Sequence, residues 1–130
     1  MVWNLPFSGI SVAMGGITVD KIVNDPGLRE LADTVMDETI KIANADILRH
    51  GLDETFLLGD NEKKICFGLS DNMGPYKPST MIDFHLRRPM EVKYLFREPI
   101  KRAKELEIDV PHLETLVTQI EAFQRFYDLF

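Results

Sequence analysis

The sequence predicts an all-α domain of about six or seven helices, because apolar residues recur at helical spacing through most of it. Two further features support that class. Helix starts and stops are marked by Asp-Pro, Ser-Thr and glycine signals at the edges of those stretches. The one short run that could be a strand, Ile65-Cys66-Phe67, has no convincing strand partner elsewhere. The 130 residues fit one domain, and with 45% hydrophobic residues the chain can bury a core rather than remain disordered.

The elements follow in order. Residues 1–14 are mostly apolar, and Pro6 and Gly9 interrupt them, so the expectation is the tail of one helix and the start of another. Gly15-Gly16 is a break, and it lacks the preceding strand and the third glycine of a dinucleotide fingerprint. Thr18 is placed to cap a short helix through Val23. Asp25-Pro26 is a strong helix start, a capping side chain followed by proline at the first helical position. Leu28, Leu31, Ala32, Val35, Met36, Thr39, Ile40 and Ala43 then trace a long amphipathic helix that ends before Gly51. Between Asp53 and Asn72, Phe56, Leu57, Ile65, Cys66 and Leu69 favour helix, weakened in the middle by Gly59. Residues 71–78 read as loop. Glu91 to Leu106 is helical, with Pro99 bending or breaking it. Val110-Pro111 opens the last helix, with an apolar stripe of Leu113, Leu116, Val117, Ile120, Phe123 and Tyr127. The apolar tail, Phe126 to Phe130, covers either this domain's own core or a partner chain.

Charge and composition exclude several functions. A net charge of −6 argues against a nucleic-acid partner, since phosphate contacts need clustered Lys and Arg. The basic run from Arg97 to Lys104 alternates with apolar residues, as the wet face of a helix does. No apolar run approaches the roughly 20 residues of a membrane span, so no membrane partner is expected. Residues 1–4 lack the basic start of a signal peptide. Cys66 is alone and cannot form an internal disulfide, which suits a reducing, cytoplasmic location. His50, His85 and His112 are scattered without metal-ligand spacing, so no metal is expected.

The most informative stretch is Gly74 to Glu105. Pro78 precedes Ser79 and Thr80, both good N-cap residues, and Thr80 stands three residues before Asp83, the spacing of a capping box. Met81, Ile82 and Phe84 begin an apolar helix that Arg87-Arg88-Pro89 ends. Glu91 falls in the first turn of the next helix, beside its positive end. On physics alone these are capping residues.

Taken as a string, Pro-Ser-Thr-Met-Ile-Asp, then Arg-Pro-Met-Glu-Val, then Glu-Pro-Ile-Lys-Arg-Ala resembles the C-terminal domain of ketopantoate reductases (2-dehydropantoate 2-reductases). That resemblance implies the helical half of a two-domain dehydrogenase, similar to the C-terminal domain of 6-phosphogluconate dehydrogenase. The N-terminal nucleotide-binding domain, which holds most of the NADP, is absent from these residues. The family's substrate-binding Ser corresponds to Ser79. The family Glu that helps hold substrate and cofactor corresponds to Glu91, twelve positions on, here assigned to cofactor binding. The family's catalytic Lys is followed four residues later by Asn, and usually by another Asn four after that. Val-Trp-Asn-Leu-Pro-Phe-Ser places Asn4 and Ser8 at those two positions and the Lys immediately before Met1, so a domain fragment without a catalytic residue is expected.

Residues four apart share a helix face, so such a series would line one wall of a cleft. The set expected to bind substrate is Asn4, Ser8, Ser79, Thr80 and Met81, where a helix start offers N–H groups to a carboxylate. Asn4, Ser79 and Glu91 are expected to converge on one hollow. Ser8 for Asn, and Thr18 where the family often has Asn, are departures that bear on substrate identity.

Two further readings stand beside that of an NADPH-dependent reductase of a small branched 2-keto acid, on the route to pantothenate. One is a non-catalytic helical module that builds a homodimer. The other is a reductase of the same family acting on a different 2-keto acid.

Overall fold

The computed structural model describes residues 2–51 and 53–130. Met1 and Leu52 lie outside the described residues. So does the side chain of Phe56, which was expected on an apolar helical face. Among the described residues there are seven α-helices and no strand: α1 Asn4–Ala13, α2 Val19–Asn24, α3 Pro26–Arg49, α4 Asp60–Asp71, α5 Ser79–His85, α6 Glu98–Glu105 and α7 Pro111–Phe126. A 3-10 turn, Glu54–Phe56, precedes α4, and a π turn, Lys93–Arg97, runs into α6. Among the described residues no helix is long and apolar enough to cross a membrane.

α1 is the centre. Every residue from Leu5 to Val12 is buried, with α3 and α7 packed on it and α2 and α5 beside them. The expected tail-and-start pair is therefore one helix. Pro6 is its third residue, where the missing N–H would have had no intrahelical partner. Gly9 lies within the buried stretch, where the packing of α3 and α7 offsets its low helix propensity. A Cβ there would make ordinary contact with Phe96 at 3.6 Å and Leu116 at 3.8 Å. Inside the core, the Ser11 hydroxyl donates to the Ile17 carbonyl and closes the turn after α1.

α3 starts as expected: the Asp25 carboxylate accepts from the Leu28 N–H at 2.8 Å. It ends at Gly51, whose φ of +70° suits glycine. Glu38, buried in the middle of α3, reaches the start of α7. It accepts from the Leu113 N–H at 2.9 Å and the His112 N–H at 3.3 Å, while His112 Nδ1 lies 2.7 Å away. Val110 at the N-cap of α7 has no side-chain cap of its own, so the cap comes from another helix.

α4 begins after Gly59 rather than running through it, and Glu62 accepts from the Gly59 N–H at 2.6 Å. Two polar ties hold α4 on α3. Arg29 forks onto Asp71 at 2.6 and 3.1 Å, and Lys63 sits 2.8 Å from both Asp33 and Asp37. Arg29 keeps the Asp71 carboxyl below the ordinary carboxylate range, chiefly through those hydrogen bonds.

Two expected caps are not made. Thr18 does precede α2, but its hydroxyl bonds to Asp20 instead of a backbone N–H. At α5 the N-cap is Pro78, whose carbonyl accepts from the Ile82 N–H at 3.0 Å. Ser79 and Thr80 therefore sit one and two positions too far into the helix to cap it. Pro99 falls second in α6, and the π turn just before it absorbs the missing i→i−4 bond. In the tail, Leu129 is fully buried in this domain's core, whereas Phe126 and Phe130 are exposed.

Gly16 has a φ of +88°, and a Cβ there would meet His85 Nε2 at 2.4 Å. Gly16→Ala should therefore lower unfolding stability by about 2 kcal/mol, combining left-handed strain and overpacking. Gly68, exposed inside α4 with nothing near its Cβ position, gives the opposite sign: Gly68→Ala should raise stability by about 0.5–1 kcal/mol in denaturant titration. The Asp71 tie has its own pH window. Because its folded pKa is depressed, its contribution is complete above the unfolded value of about 4 and is lost as pH falls through the lower folded value. Amide exchange in α4 should accelerate in that window in the wild type and not in Asp71→Asn.

Candidate functional site

Asn4 is the first residue of α1 and is exposed. One turn on, Ser8 is 2% exposed, and its hydroxyl donates to Asn4 Oδ1 at 3.2 Å. The amide carbonyl is thereby held, which leaves the Nδ2 group as the donor facing solvent.

The approach to α5 is pinned to the same end of α1. Trp3 Nε1 donates to Ser70 Oγ at 3.0 Å, and the Trp3 ring meets Tyr76 edge-on at 6.0 Å. The Val19 N–H donates to the Tyr76 carbonyl at 3.0 Å. Tyr76 thus joins the loop that feeds α5 to the residue just before Asn4. At the far end of α5, His85 Nε2 lies 2.8 Å from the Gly16 carbonyl, so that nitrogen carries the proton. In α5 itself Ser79 is exposed and caps nothing, whereas Thr80 and Met81 are 3% and 4% exposed and seat the helix on the core.

Two hollows flank this region. The first, about 440 Å³, is mostly apolar and lies along α5, lined by Lys77, Met81, Ile82, His85 and Leu86. The second, about 510 Å³, is mixed in character, and Glu91, Lys93, Tyr94, Arg97 and Gln124 contribute to it. Arg97 there is paired with Glu121, which raises the guanidinium pKa through their hydrogen bonds. Glu91 is exposed and stands just before the helical turns rather than inside the first one.

Of the predicted site residues, Met81 lines the first hollow and Glu91 the second. Asn4, Ser8, Ser79 and Thr80 line neither. The structure brings Asn4 to Ser8, and the loop before Ser79 to α1. The expected convergence of Asn4, Ser79 and Glu91 on one hollow is not what these two concavities show. Sequence reasoning missed Lys77, the cation beside α5, and Gln124, a polar residue facing inward from an amphipathic helix. Only the position of Gln124 beside the apolar stripe could have signalled it.

Burial pushes the Cys66 thiol up, away from the thiolate a nucleophile needs. Among the described residues no group of three His, Cys, Asp or Glu side chains could hold a metal ion. His112 is occupied with the Glu38 cap.

The family model for the C-terminal region of ketopantoate reductase (PanE/ApbA) matches residues 1–124. The chain belongs to that family. A 2-dehydropantoate 2-reductase from Nostoc sp. is 28% identical over 121 residues, which are 93% of this chain and 35% of that protein. The crystal structure of a 2-dehydropantoate 2-reductase from Geobacter metallireducens superposes with a TM-score of 0.83 at 33% identity, over 93% of this chain and 38% of that one. A ternary structure of D-mandelate dehydrogenase with NADH and anilino(oxo)acetate superposes with a TM-score of 0.79 at 15% identity, over 99% of this chain and 40% of that one. That likeness shows the fold alone. This ketopantoate reductase C-terminal domain thus spans a little over a third of the length of the reductases it matches. Its all-helical architecture is the one the sequence predicted.

Proposed function

We propose that this chain is the substrate-binding domain of an NADP-dependent reductase that converts 2-dehydropantoate to pantoate. The observation that carries the reading is the family match over residues 1–124. A separate nucleotide-binding domain holds most of the cofactor. Among the described residues there is no strand for a dinucleotide fold, and the Gly15-Gly16 turn closes against His85. The exposed Glu91 carboxylate fits a narrower task, accepting hydrogen bonds from a ribose or substrate hydroxyl. When bound, the nicotinamide would supply the hydride to the keto carbon, and the Lys that the family resemblance implies would supply the proton to the keto oxygen.

In this reading the chain's own residues bind and orient. Asn4 Nδ2 donates to a substrate oxygen, and Ser8 fixes the amide that does so. The Ser79 hydroxyl, not engaged in capping, donates to the carboxylate of the 2-keto acid. Thr80 and Met81 complete the substrate set by seating α5, with Met81 lining the apolar hollow that would take the branched alkyl end. A cytoplasmic location, a role in pantothenate formation and a homodimer belong to the same reading.

A second reading keeps the reaction and changes the 2-keto acid. It is favoured by Ser8, whose hydroxyl is already bonded to Asn4, and by Thr18, which is bonded to Asp20. Neither offers what an Asn would.

The test uses the full-length protein that carries this domain, assayed by NADPH oxidation with a panel of 2-keto acids. 2-Dehydropantoate should give the highest kcat/KM; a different acid at the top of the panel selects the second reading. Glu91→Ala should lower kcat/KM by about 10- to 100-fold, the equivalent of a charge-assisted hydrogen bond, with little change in unfolding temperature because the side chain is exposed. Ser79→Ala should raise KM for the keto acid by about tenfold. A Glu91→Ala enzyme within about twofold of wild type would overturn the site assignment.

A further inference from the structure

Residues 88–91, the second half of the link from α5 to the π turn, lie in neither helix nor strand, so their backbone groups need partners from elsewhere. One partner is local, the Val92 N–H donating to the Met90 carbonyl at 3.0 Å, and the others come from the end of α7 and the residues just after it. The Met90 N–H donates to the Leu129 carbonyl at 3.0 Å. Gln124 Nε2 donates to the Met90 carbonyl at 3.2 Å and to the Leu129 carbonyl at 3.2 Å. The Leu129 N–H in turn donates to the Gln124 carbonyl at 2.9 Å. Asp128 makes this closure possible by turning the chain with a φ of +51° just past α7. Three residues thus form a closed hydrogen-bonded ring around the backbone of Met90.

Burial anchors both sides of the ring. Leu129 is 1% exposed, Met90 4% and Val92 2%, while Glu91 between the last two is exposed. With its neighbours fixed inward, Glu91 is directed outward, toward the hollow that Gln124 also lines.

We propose that Gln124 and Leu129 are positioning residues that hold Glu91 in its working orientation. This rests on the reading that Glu91 touches a cofactor or substrate hydroxyl.

Gln124→Met keeps the length of the side chain and removes its N–H₂ donor. Native-state amide exchange should show Met90 opening about tenfold faster, the loss of a modest hydrogen-bond contribution, with the amides of α1 unchanged. In the full-length enzyme the same substitution should raise KM for NADPH by about fivefold and leave kcat near wild type. In a Glu91→Ala background it should add nothing, because its effect runs through Glu91. Phe126→Ala, an exposed change one turn from Leu129, is the control and should move neither readout.

Unchanged Met90 exchange in Gln124→Met overturns the clamp. So does a KM effect of equal size with and without Glu91. If Glu91→Ala itself leaves the kinetics intact, the reading of Glu91 fails, and with it the proposed positioning role, while Met90 exchange still reports whether the ring exists.

Discussion

The burial of α1 on all sides fixes the rest of the molecule. A helix with no wet face must satisfy each polar side chain it carries within the protein, and α1 carries Ser8 and Ser11. Ser11 closes the following turn through Ile17, and Ser8 holds Asn4. The same condition that makes the core dry therefore fixes the one polar group α1 presents at its exposed end. Replacing a fully buried residue such as Leu5 or Ile10 by Ala would cost about 2–5 kcal/mol, a large share of a small domain's stability. The position of Asn4 is thus maintained by packing energy and not by local loop structure.

α7 plays the complementary role. One end is capped by a buried carboxylate from α3, and the other is tied to the link that bears Glu91. A helix fixed at both ends against the core transmits position along its length without needing to move. The two exposed groups proposed to bind, Asn4 and Glu91, are therefore supported through different elements, one through α1 and one through α7, and Phe96 and Ile120 belong to the core those elements share. Because α1 and α7 also pack on each other, only substitutions confined to an exposed end group or to the Gln124 ring separate the two supports.

Much of the fold was legible in the sequence because its signals are local. Asp25-Pro26 marked the start of α3 to the residue, since a carboxylate reaching its own N–H three positions on needs no tertiary partner. Gly51 marked the end for the same kind of reason. Pro6 misled because its meaning depends on where the helix begins, and Trp3, at the N-cap, offers no capping side chain. Ser79 and Thr80 misled by one register: the Pro78 carbonyl opens the helix, so the hydroxyls come too late. The Asn4–Ser8 pair was readable as one face of one turn. Glu38 and His112, separated by 74 residues, meet only because α3 and α7 pack together, and no local pattern encodes that. The Gln124 ring is hidden in the same way.

Burial divides the assigned residues into two kinds. Ser8, Thr80 and Met81 are nearly inaccessible, and Asn4, Ser79 and Glu91 face solvent. In water, exposed donors and acceptors gain little from binding a ligand, because each exchanges one hydrogen bond for another. They become strong only when a second surface excludes that water and lowers the local dielectric. The proposed reaction, a hydride transfer to a polarised carbonyl, needs that exclusion more than most. In the proposed reading the helical domain would supply one fixed wall, with Asn4 oriented by Ser8 and Glu91 held beside Met90. On that reading, the closing surface is where a nucleotide-binding domain would have to dock, over the exposed residues and not over the two hollows taken singly.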